Sequence, residues 1–91
     1  MTEPEFIMAI NRSRVFSARQ MPDQRIIATS DKGVKIYHES KRHNKMTLKI
    51  LDTDTSYDIP SHVELDEIIL ILKAGTRDDV VAYSDKYLRK I

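Results

Sequence analysis

The 91-residue chain has no cysteine, 41% hydrophobic and 32% charged residues, and a net charge of only +1. This composition is globular rather than disordered, and it excludes a disulfide framework and thiolate chemistry. The longest apolar runs, residues 6–10 and 68–72, are five residues each; they cannot span a bilayer, and the N-terminus lacks the features of a signal peptide. The expectation is one cytoplasmic domain over residues 1–91 with no membrane partner.

The charge is unevenly spread. Residues 1–50 hold ten Lys/Arg against five Asp/Glu, and residues 51–91 hold five against nine. A basic half followed by an acidic half predicts a dipolar molecule, whose halves either pair with each other or face water.

The first element reads as a helix. Thr2 and Glu5 have capping-box spacing, and Pro4 falls in the first turn, where its missing N–H costs nothing. At about 100° per residue, Phe6, Ala9, Ile10, Ser13, Phe16 and Ser17 share one arc. Met8 and Val15 break the pattern, so a fray or turn near Asn11 is allowed. Pro22 ends the element, because the residue before a proline disfavours helix.

Residues 25–29 and 34–38 read as strands joined by the hairpin signal Ser30-Asp31-Lys32-Gly33. Val34, Ile36 and His38 share one face of the second strand, with Lys35 and Tyr37 on the other. Residues 46–51 read as a third strand, with Met46, Leu48 and Ile50 inward and Thr47 and Lys49 outward. The connection before it holds His38, Lys41, Arg42, His43 and Lys45, and is longer than a minimal loop of about two to five residues. Residues 55–59 add a short fourth strand that Pro60 ends.

Two helices follow. Ser61 and Glu64 have capping-box spacing, and Leu65, Ile68, Ile69 and Leu72 recur at helical intervals up to Gly75; residues 66–72 also fit a buried strand, but the signals at both ends favour helix. Thr76 and Asp79 open the last helix, whose stripe is Val80, Tyr83, Ser84, Tyr87 and Ile91. Its acidic start and basic end complement the helix dipole. The expected fold class is α+β: a small antiparallel sheet of about three to four strands packed against an N-terminal helix and a C-terminal αα-hairpin.

No catalytic or metal motif survives inspection. His38 falls on the inward face of a strand and His43 at a loop tip, so the two diverge and general acid–base catalysis is not expected. Asp52, Asp54, Ser56 and Asp58 begin like a calcium loop, but Tyr57 stands where glycine is needed and Val63 where a closing glutamate is needed. A helix-turn-helix at Gly75 would present Asp78 and Asp79 to phosphates, which is repulsive. The chain is expected to need no cofactor.

Binding remains. Lys41, Arg42 and Lys45 in the loop, with Lys35 and Lys49 on the outward strand face, can reach phosphates, and Tyr37 can stack on a base. The functional expectation is a small non-enzymatic regulatory protein that engages an acidic partner through these residues, nucleic acid ahead of an acidic protein surface. The alternative is a protein-interaction module, an inhibitor or a homodimer, using Phe6, Met8, Val15, Phe16 and Tyr83 as exposed apolar contacts.

Overall fold

In the computed structural model, which describes residues 1–60 and 62–91, the chain opens with helix α1 (Glu3–Ser13). Glu5 Oε1 accepts from the Thr2 amide at 2.9 Å and from its hydroxyl at 2.8 Å, and the Glu5 amide donates to Thr2 Oγ1 at 3.4 Å. The expected capping box is therefore formed. Phe6 and Ile10 are buried beneath the helix.

The helix ends earlier than the apolar arc through Phe16 and Ser17 predicts. The buried Ser13 hydroxyl donates to the Ile10 carbonyl at 2.6 Å and accepts from the amides of Val15 and Phe16 at 3.3 and 3.2 Å. Arg14 takes a left-handed conformation at φ 60°. The chain turns there and continues as strand β1 (Phe16–Gln20). Residues 16–20 are thus strand, not helix.

Strands β2 (Ile26–Ser30), β3 (Val34–Glu39), β4 (Lys45–Ile50) and β5 (Thr55–Ile59) follow, then helices α2 (His62–Ala74) and α3 (Arg77–Tyr87) and a two-residue strand β6 (Arg89–Lys90). All six strands form one antiparallel sheet in the order β1-β2-β3-β4-β5-β6. The α+β class with three helices is as expected, and the sheet has six strands rather than three to four. The two additional strands are its edges, β1 and β6.

Tight turns set the register. Ser30 Oγ donates to the Val34 carbonyl at 2.9 Å, and Gly33 supplies the left-handed position at φ 82°. The β3–β4 connection is a 3-10 turn (Ser40–Arg42) followed by His43 and Asn44, both at φ 58°. Only residues 40–44 lie between the strands, because Glu39 and Lys45 pair with each other.

Inward residues of β2, β3, β4 and β5 alternate with outward ones and join the helices in one core. Leu65, Ile68, Ile69 and Leu72 of α2 are buried, so residues 68–72 are helix and their stripe is as expected. In α3, Val80 and Ser84 are buried; Tyr87 and Ile91 are exposed, because the helix ends at Tyr87 and the chain extends into β6. Thr76 donates to Asp79 Oδ2 from its amide at 2.8 Å, closing the second capping contact. The box expected at Ser61 lies outside the described residues.

The Lys32 ammonium, in the β2–β3 turn, donates to the carbonyls of Leu72 at 2.7 Å and Gly75 at 3.0 Å. It caps the C-terminus of α2, where both the free carbonyls and the dipole favour a cation. No helix among the described residues is long and apolar enough to cross a membrane.

Candidate binding face of the sheet

The helices cover one face of the sheet, and the other is open. Register brings its outward residues into rows. One row runs Ile27, Tyr37, Thr47 and Asp58 across β2 to β5. The next runs Thr29, Lys35, Lys49 and Ser56. Lys35 and Lys49 are direct partners across β3 and β4.

A shallow concavity of about 530 Å³ lies on this face, lined by Arg25, Ile27, Tyr37, Glu39, Arg42, Lys45, Thr47, Lys49, Ser56 and Ile91. Tyr37 stands in it half-buried, with the Arg25 guanidinium 5.4 Å from its ring centroid. Arg25 is itself held by Asp23, whose Oδ2 accepts from its Nε at 2.7 Å. This contact, after the Arg25 amide as the leading cause, holds the Asp23 carboxyl below its ordinary value.

The structure therefore brings Tyr37, Arg42, Lys45 and Lys49 together. Lys35 lies outside the lining, beside its cross-strand partner Lys49. Lys41 does not line this concavity: it is exposed in an adjoining hollow that shares Arg25, Glu39 and Arg42 with it. Most of the cations have acidic neighbours. Lys49 Nζ lies 2.9 Å from Asp54 Oδ1, Lys45 Nζ 3.7 Å from Asp58 Oδ1, and Arg42 Nη1 3.8 Å from Glu39 Oε2. The Asp54 hydrogen bond and charge, then the charge of the Tyr37 phenolate at alkaline pH, raise the Lys49 ammonium above its ordinary value. Two of these pairs join the basic and acidic halves of the chain. Lys35 and Lys41 take part in no ion pair among the described residues. Of the three acids only Asp54 is well exposed, and an exposed pair of this kind holds weakly, by about 0–1 kcal/mol, so an incoming anion can displace it from Lys49.

Arg25, Ile27, Glu39, Ser56 and Ile91 are the members that sequence reasoning missed. The Ser30–Gly33 turn signal implies that Ile27 faces Tyr37, and Arg25 then falls near the ring. Ile91 arrives only because β6 pairs with β5, its amide donating to the Ser56 carbonyl at 2.9 Å.

The apolar alternative needs correction. Phe6 and Phe16 are buried in the core and unavailable to a partner. Phe6 stacks on His38 with ring centroids 5.1 Å apart, and Phe16 starts β1 opposite Ser30. Val15 and Tyr83 are half-buried, and only Met8 stands exposed. His38 is buried on the helix side, its Nε2 2.9 Å from the Met1 carbonyl, while His43 is exposed in the turn, so the two imidazoles share no site. No group of three His, Cys, Asp or Glu among the described residues is arranged to hold a metal.

No family model, curated protein or solved structure matches this chain.

Proposed function

We propose that this is a non-enzymatic binding protein whose open sheet face takes single-stranded nucleic acid. Lys35 and Lys49 would take backbone phosphates, and Tyr37 would stack on a base, with Arg42 and Lys45 extending the contact toward the β3–β4 turn. Sheet faces that bind single strands combine these two elements, cations along the backbone path and an aromatic platform.

The observation that carries the reading is the direct pairing of Lys35 with Lys49. Like charges opposite one another destabilise a sheet by a few tenths of a kcal/mol or more. Asp54 already offsets that repulsion at Lys49, and a bound phosphate would take the place of its carboxylate between the two ammonium groups. The row beside them supplies Tyr37, flanked by Ile27 and Thr47. Of the 3-10 turn, Arg42 lines the concavity and Lys41 does not.

The test is fluorescence anisotropy with labelled single-stranded RNA and DNA, alongside duplexes of the same sequences. Single strands should bind more tightly than duplexes, since stacking on Tyr37 needs an unpaired base. Binding of duplex alone, or of neither, contradicts the proposal.

A further inference from the structure

The helix layer carries a second surface feature, on the side away from the open sheet face. A groove of about 460 Å³ runs between α1 and α2, with Met8, Ala9, Ile69 and Leu70 along its middle. Met8 is 54% exposed and Leu70 60%. Val63, about two helical turns before Leu70 on the same stripe, is 70% exposed.

Charges mark the two ends of the groove. Glu5 and Arg12 flank Met8 on α1, and Asp66 and Lys73 flank Leu70 on α2. In each helix the acid and the base are about two turns apart, so they share a stripe with the apolar residue between them. The helices run the same way: both start at the sheet end where Met1 meets His38 and β5 leads into α2, and both finish at the β2–β3 turn, where Phe16 pairs with Ser30 and Lys32 caps α2. Both acids therefore gather at one end of the groove and both bases at the other.

Helix dipoles favour an acid early and a base late in a helix, but they do not call for exposed Met8 and Leu70 between them. Glu5 is engaged by the Thr2 amide and hydroxyl in the capping box, but the other three charges find little inside the chain. Arg12 and Lys73 take part in no ion pair among the described residues, and Asp66 meets only His62, at 3.1 Å.

We propose that this groove is the interface of a homodimer. An acid–apolar–base stripe is complementary to itself turned end for end. A second copy, related by a two-fold axis crossing the groove at Met8 and Leu70, meets each acid with a base and each apolar side chain with its own equivalent. Closed two-fold interfaces are built from such self-complementary patches, with an apolar centre and a charged rim. Asp66 then faces Lys73 of the other copy, and Glu5 faces Arg12. The open sheet faces are left free on the outside, so the assignment stands whatever that face binds.

Sedimentation velocity of the full chain over ~1–100 μM tests it, with a concentration-dependent dimer expected in that range. Asp66→Lys and Lys73→Asp should each weaken the dimer by about tenfold or more, because each sets like charges together twice. Mixing these two variants should restore a one-to-one dimer, as should joining both substitutions in one chain. Restoration on mixing also shows that each variant is folded. A wild-type chain that stays monomeric throughout leaves the groove to an unrelated partner and overturns the proposal. A dimer indifferent to both reversals, or reversals that mixing does not rescue, also overturn it.

Discussion

The Tyr57 hydroxyl donates to Asp85 Oδ1 at 2.5 Å, tying β5 to α3 across the core. Burial first, then the Asp85 hydrogen bond and charge, push the Tyr57 phenol up to about 12 from an ordinary value of 10.0. The folded state thus keeps a proton that the unfolded state releases sooner. The resulting stability is fully present below pH 10 and is lost as pH rises through about 12. Urea melts at a series of alkaline pH values should show the midpoint falling across this window. Tyr57→Phe should start from lower stability at neutral pH and show a shallower alkaline decline. An equal decline in the variant assigns the effect to other groups.

Lys32 joins the β2–β3 hairpin to the end of α2 through two backbone carbonyls. Lys32→Met keeps most of the stem and removes both hydrogen bonds. A loss of about 1.5–3 kcal/mol in chemical denaturation is expected. Hydrogen exchange should quicken most in the last turn of α2. A loss below about 0.5 kcal/mol means that water caps those carbonyls equally well.

Ser13 decides where α1 stops. Its hydroxyl makes three contacts at the helix–strand joint, all within four residues of chain. Ser13→Ala leaves the Val15 and Phe16 amides without that acceptor, and about 1–3 kcal/mol of stability should go with it. Ser13→Thr keeps the acceptor and should recover part of the loss. If Ser13→Ala melts like wild type, backbone conformation alone ends the helix.

That joint is also where the sequence is hardest to read. Phe16 lies three residues after Ser13, so it continues a helical arc as readily as it begins a strand. The deciding contacts are hydrogen bonds from Ser13, which leave no periodic trace. At the other end, Arg89 and Lys90 carry no strand signal; they extend because Asp58 and Tyr57 offer partners. The turn at Gly33, the capping residues Thr2 and Thr76 and the α2 stripe are local features, and each is legible without tertiary information.

The binding face divides in the same way. Alternation in β3 and β4 is enough to send Lys35, Tyr37, Thr47 and Lys49 outward. It says nothing of the carboxylates of Asp54 and Asp58 beside Lys49 and Lys45, which depend on how β5 pairs. Nor does it separate Lys41 from the other cations, since that requires the course of the 3-10 turn. Phe6 and Phe16 share one arc of a helical wheel, but Phe6 is covered by β3 through His38 and Phe16 lies in the sheet itself.

The central claim is that Lys35 and Lys49 bind phosphate on the open face. Its most direct measurement is the salt dependence of single-strand affinity for the wild type and for Lys35→Ala combined with Lys49→Ala. Each lost phosphate contact should flatten the log–log slope by about 0.7, so the double variant should lose about one to two units. Tyr37→Ala should weaken binding by about 1–3 kcal/mol with the slope unchanged. A double variant that keeps the wild-type slope contradicts the claim.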